Sequence, residues 1–251
     1  MLMSVVSSAE LAEIYPELAG ARVLVTGLTA EAGVDIVRAF ADHRARLVLQ
    51  TPGETPEINE LAAVVAQSAA EIRLYAEPLE PGEGAVRFAQ TAAQAYAGLD
   101  VAINIITLAP EDLAGLASTA DIERLVSEKL GAALEITRVV ANRMRLTLGT
   151  GLVLNVVVAP AVRTVAEATL VGVVRATLAA MTRSEAEAWA EQAIRINAIA
   201  PRAPLPGEKP AGTMLSSEAD MAALALRLAA RKGRNLSGHV FDAESVAARG
   251  C

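Results

Sequence analysis

Cysteine is nearly missing from this sequence: Cys251 is the only one in 251 residues, so no internal disulfide can form and the redox compartment is left open. Histidine is almost as scarce. His43 and His239 stand far apart without ligand spacings around them, which weighs against a histidine-based zinc site and against a Ser-His-Asp triad. Three tyrosines, Tyr15, Tyr75 and Tyr96, have to serve the whole chain. No stretch rich in Pro, Ser or charge marks a linker, and no internal repeat or low-complexity tract competes, so one domain over 1–251 is expected, with an N-terminal extension at 1–20 and a tail at 243–251. Basic residues are scattered and the formal net charge is -7, which excludes a nucleic-acid or anionic-membrane partner from the expectation. The opening MLMSVVSSAELAEIYPELAG has no basic n-region and places Glu10 and Glu13 before any apolar run long enough for a signal or a membrane span. A soluble cytoplasmic protein is the expectation.

What the chain does have is apolar content, 53% of its residues, arranged in an alternation. Short runs of Val, Ile and Leu recur between longer Ala-rich segments with helical spacing, the pattern of parallel strands buried on both faces by crossover helices. Strands are predicted at 23–26, 46–50, 72–76, 101–105, 152–157, 194–198 and 239–242, with helices starting near Gly33, Pro56, Gly84, Asp121, Glu167 and Ser217. Ser217 reads as an N-cap, and Glu218 and Asp220 suit the positive end of the helix they open. The result is a doubly wound α/β domain whose ligands belong at the carboxyl ends of its strands.

The first strand runs into VTGLTAEAG, a turn with the glycines of a nucleotide loop and a carboxylate inside it. Together with GLDVAIN, GLVLN, IRINAIAP and SGHVFD, in that order and spacing over about 20–243, this resembles the short-chain dehydrogenase/reductase family. The resemblance implies a single Rossmann-type doubly wound parallel sheet, NAD(P) as cofactor, a Ser-Tyr-Lys catalytic set with a supporting Asn, and dimers or tetramers.

Position by position, the family's chemistry is altered. Thr26, Gly27 and Gly33 of the loop T-G-x-x-x-G-x-G remain, but its middle glycine is Glu31. A carboxylate about 4 Å from a phosphate charge costs roughly 4 kcal/mol at an effective dielectric of 20, nearly three decades of affinity. Thr51 and Pro52 stand where an acidic residue or an arginine would meet the adenosine ribose, and Leu79 where an aspartate would lie near the adenine. The N-N-A-G turn reads Asn104, Ile105, Ile106, Thr107. Of the catalytic set, the serine aligns with Val158, the tyrosine with Val171, the lysine with Arg175 and the asparagine with Lys129. Neither valine can donate or accept a hydrogen bond through its side chain.

By contrast, Gly27, Gly33, Asn155, Asn197, Pro201 and Gly238 persist where backbone geometry is demanding. Fold-bearing residues stay while chemistry-bearing ones go. The expected function is therefore a non-catalytic structural or regulatory subunit of a hetero-oligomeric NAD(P)-dependent alcohol or hydroxyacyl-CoA dehydrogenase. Its precedent is a heterotetrameric complex of anaerobic aromatic degradation. No cofactor is expected in this chain, NAD(H) being held by an active paralogue, which would be contacted through the helices near 121–144 and 167–189 and the C-terminal strand. The second helix supports this because Leu170, Val171, Val173, Val174, Leu178 and Met181 exceed what one core-facing stripe needs. Two alternatives stay open. One is an enzyme with relocated chemistry, such as a lyase resembling halohydrin dehalogenases that would use Arg175 or a displaced tyrosine. The other is a small-molecule sensor.

Overall fold

Seven segments pair edge to edge into one parallel sheet, in which the five central strands are buried on both faces under helices and the two edge strands stay half-exposed. A computed structural model describes residues 15–114, 118–147, 149–200 and 217–242. Most of the N-terminal extension, Pro201, the tail and Cys251 lie outside them. The strands are β1 (Arg22–Thr26), β2 (Arg46–Thr51), β3 (Glu71–Ala76), β4 (Val101–Thr107), β5 (Gly151–Val158), β6 (Ile194–Ile199) and β7 (Val240–Phe241), in the spatial order β3-β2-β1-β4-β5-β6-β7. Every predicted strand is present. β4 and β5 run past their expected ends, since Ile105 to Thr107 and Val156 to Val158 continue to pair in register.

The helices are α1 (Val34–Asp42), α2 (Pro56–Val65), α3 (Glu83–Gln94), a short α4 (Pro110–Leu113), α5 (Thr119–Leu146), α6 (Val165–Ala188) and α7 (Glu218–Ala229). Their starts follow side-chain caps: Ser118, Thr164 and Ser217 each accept the amide hydrogen three residues on. α1, α2 and α7 cover one face, burying Phe40, Leu61 and Met221 against Val23, Leu49 and Leu154. α3, α5 and α6 cover the other, where Phe88, Ile136 and Val174 are buried.

α6 carries the six apolar residues that suggest a surplus. Of its six apolar residues, Leu170, Val171, Val174 and Leu178 are buried within this chain, and only Val173 and Met181 stay half-buried. The buried four pack on the sheet and α5, while Val173, Met181 and the 75% exposed Val165 leave apolar surface that neither covers. Among the described residues α6 is also the one helix long and apolar enough to cross a membrane by length and composition, and one stripe of it packs on the sheet and α5.

At the amino end of the sheet, Arg22 donates to both carboxylate oxygens of Asp100, at 2.7 and 3.0 Å, and its backbone amide donates to Asp100 as well. Burial pushes the Asp100 carboxyl up, but the hydrogen bonds and charge of Arg22 outweigh it and hold the group below the ordinary aspartate value. A depressed folded-state value contributes stability above the unfolded pKa, which is lost as pH falls through the folded one. Asp100→Asn should therefore flatten the acid limb of the urea-midpoint profile below about pH 4. A variant with the parent's acid slope would remove the pair from that account.

Candidate functional site

Between β1 and β4 the strand order reverses, and a crevice of about 340 Å³ opens at the carboxyl ends of β1, β2 and β4, as a doubly wound sheet arranges for ligands. Of the residues singled out from sequence, Thr26, Gly27, Pro52, Leu79, Asn104, Ile105, Ile106, Thr107 and Lys129 line it together. Glu31, Gly33, Thr51, Val158, Val171 and Arg175 are not among its lining residues.

The inner wall is a row of polar side chains placed by register: Thr26 of β1 stands beside Asn104 of β4, and Asn104 beside Asn155 of β5. The Thr26 hydroxyl donates to Asn104 Oδ1 at 3.0 Å, and Asn104 Nδ2 donates to Asn155 Oδ1 at 2.8 Å and to the Thr137 hydroxyl of α5 at 3.3 Å. All four residues are buried, so the row ties three strands to α5 in a setting where each bond is hard to replace. The retained asparagine is the hub of this network.

Gly27 and Gly33 bound the β1–α1 turn with φ of 72° and 90°. A side chain on Gly27 would collide with the Ile105 carbonyl, and one on Gly33 with the Ile105 side chain. Both glycines are therefore required by the close approach of β4. Their amides are already engaged. Gly27 N–H donates to Gln50 Oε1 at 2.8 Å, while Gln50 Nε2 donates to the Glu77 carbonyl at 2.6 Å. Gly33 N–H donates to a carboxylate oxygen of Glu218, which reaches across from the first turn of α7.

Glu218 thus sits at the N-terminus of α1, the positive end of that helix dipole. Burial, aided by the Asp35 charge, pushes its carboxyl above the ordinary glutamate value, although the amides of Gly33, Val34 and Asp35 pull the other way. The sequence had pointed to Glu31 as the offending carboxylate. Glu31 is exposed and does not line the crevice; the charge that meets the turn is Glu218. Neither Gln50 nor Glu218 was singled out for the site. Gln50 carried a signal, a lone polar residue in LVLQ, whereas Glu218 was assigned to its own helix.

The remaining substituted positions do not assemble into a site. Thr51 is fully buried, with its hydroxyl donating to the Gly53 carbonyl at 2.8 Å. Val158 ends β5 and packs toward the α1 and α7 face, whereas Val171 is 1% exposed in the cluster beneath α5 and α6, on the other side of the sheet. Arg175 Nη1 donates to the Ala200 carbonyl. Lys129 borders the crevice but is paired with Asp112 at 2.5 Å.

None of the three tyrosines lines the crevice either. Tyr96 donates its hydroxyl to the Leu47 carbonyl, Tyr75 packs edge-on against Phe88, and Tyr15 lies against His43. A displaced phenol is thereby removed from the possibilities for this crevice.

A family model described as enoyl-(acyl carrier protein) reductase matches residues 27–237. No curated protein matches the chain. Among solved structures, an NADH-dependent reductase A1-R′ complexed with NAD is similar with a TM-score of 0.73 and 18% identity, covering 90% of this chain and 95% of that one. An enoyl-acyl-carrier-protein reductase from Anaplasma phagocytophilum in complex with NAD gives 0.68 and 17%, covering 90% and 93%. A hydroxysteroid dehydrogenase from Escherichia coli gives 0.69 and 20%, covering 90% and 96%.

These likenesses overturn one expectation. The first two of these chains hold NAD in the same fold, so the altered loop does not justify assigning this chain no cofactor; its architecture is that of an NAD-binding fold. The crevice supplies volume and an apolar wall at Pro52, Pro78 and Leu79. The diphosphate seat does not fit the group as it stands, because a second anion cannot share the α1 amides with the Glu218 carboxylate.

Proposed function

The chain belongs to the short-chain dehydrogenase/reductase family, and on that premise we propose that it is a non-catalytic subunit, acting in the cytoplasm beside an active paralogue that carries out NAD(P)-dependent hydride transfer. One observation carries this reading: no phenol reaches the crevice, and the catalytic serine and tyrosine positions are valines packed on opposite sides of the sheet. Carbonyl reduction needs a proton donor within about 3 Å of the developing alkoxide. Neither Val158 nor Val171 can be one. Dinucleotide binding by the fold is compatible with this reading, which concerns chemistry alone.

The lyase alternative is disfavoured because Arg175 donates to the Ala200 carbonyl and does not line the crevice. Native mass spectrometry of the protein taken from its own cells tests the proposal, together with turnover assays on the isolated chain. The expected outcome is a stoichiometric oxidoreductase partner, and alcohol oxidation by the isolated chain at blank level with either NAD or NADP. Turnover by the isolated chain, or recovery only as a homo-oligomer, would refute it.

A further inference from the structure

The β1–α1 turn is occupied from within, and the occupant is a charge of the same sign as a diphosphate. A helix N-terminus with free amides attracts phosphate because the unpaired N–H groups and the dipole both favour an anion. α1 has these features, but the Glu218 carboxylate takes the Gly33 amide and lies beside those of Val34 and Asp35, while Gln50 takes the amide of Gly27. Beside this turn the 340 Å³ crevice remains open, lined by Gly27 and Thr29 on the turn side and by Pro52 and Leu79 farther along. An open crevice next to a self-capped seat is the arrangement of a gated site.

We propose that Glu218 is an internal competitor for the diphosphate seat, so that its carboxylate has to leave the N-terminus of α1 before a dinucleotide's diphosphate can enter. The nucleoside half meets Pro52, Pro78 and Leu79, and the one carboxylate lining the crevice, the exposed Glu128, stands on α5 and holds none of the turn's amides in the contacts described. Rotation of the Glu218 side chain away from the Gly33 amide is the minimal change required, because the contact is made by the carboxylate and not by the backbone of α7. The proposal stands whether or not the chain has a catalytic partner.

Calorimetric titration of the full chain with ADP and with adenosine provides the test. Glu218→Ala and Glu218→Gln should each tighten ADP binding at least about tenfold, because two like charges no longer share one set of amides. Adenosine affinity should stay the same, since adenosine brings no diphosphate to the seat. Glu31→Gln removes an exposed charge from the same turn and should leave ADP affinity within about twofold of the parent. Using both Glu218 variants keeps the test intact if the alanine form folds poorly, as the glutamine form keeps the hydrogen-bonding shape. The proposal is overturned if neither variant binds ADP more tightly than the parent, if Glu31→Gln gives the same gain, or if adenosine gains as much as ADP.

Discussion

Asn104→Leu should unfold at a much lower denaturant concentration than the parent chain, with a loss of about 3–5 kcal/mol. Leucine is close in size, so the loss comes from polar groups left behind and not from a cavity. The Thr26 hydroxyl loses its acceptor and the Asn155 oxygen its 2.8 Å donor, both in surroundings with almost no solvent access. Each unsatisfied group costs about 1–3 kcal/mol, against a total stability of about 5–15 kcal/mol for a domain. Thr137 is spared, because its hydroxyl still donates to the Ala133 carbonyl at 2.7 Å. A double-mutant cycle with Asn155→Leu separates the network from generic damage: the double variant should cost clearly less than the sum of the singles. A single-variant loss under about 1 kcal/mol, or strict additivity, would show that the row is not coupled.

The strands were legible because a parallel sheet covered on both faces writes itself as continuous apolar runs. β1, β2, β3 and β6 match their predicted spans to within a residue at either end, and Ser217 caps α7 as expected. Gly33 was legible for a related reason, since close packing of helix on strand leaves no room for a side chain there. Glu218 was not, because its partner Gly33 lies 185 positions away and nothing local distinguishes it from an acidic residue serving its own helix. On α6 the sequence did not separate the apolar residues that β6 and α5 cover, Leu170, Val171, Val174 and Leu178, from those they leave half-buried, because the helical spacing of the two sets overlaps. Loss of the family's side-chain hydroxyls was readable from residue types at Val158 and Val171. Absence of cofactor was not, because a fold supplies backbone amides and volume that residue types do not report. That asymmetry explains why the cofactor expectation failed while the fold assignment held.

Restoring the family residues together, as Glu31→Gly, Val158→Ser, Val171→Tyr and Arg175→Lys, should give a less stable protein without alcohol oxidation above blank. The tyrosine carries the damage. Val171 is 1% exposed among Leu130, Val157 and Val174, so a ring there overpacks the cluster by about 1–3 kcal/mol and brings a hydroxyl that costs about 1–3 kcal/mol more if unpaired. Replacing Arg175 also removes the guanidinium that donates to the Ala200 carbonyl. Serine at 158 stands on the α1 and α7 face of the sheet, while residue 171 stands on the α5 and α6 face, so changing residue types does not by itself converge the two groups. The floor beside them stays aliphatic at Ile105 and Ile106, and Glu218 still holds the α1 amides, which the reversion at Glu31 leaves untouched. Thermal melting and a coupled NAD(P)H absorbance assay on the fourfold variant decide the matter. Measurable turnover with the parent's melting temperature would overturn this expectation and show that the packing around Val171 accepts the family's side chains. A lowered melting temperature with no turnover is the expected outcome, because the core beneath α6 is packed around valine and a ring there needs that packing rebuilt.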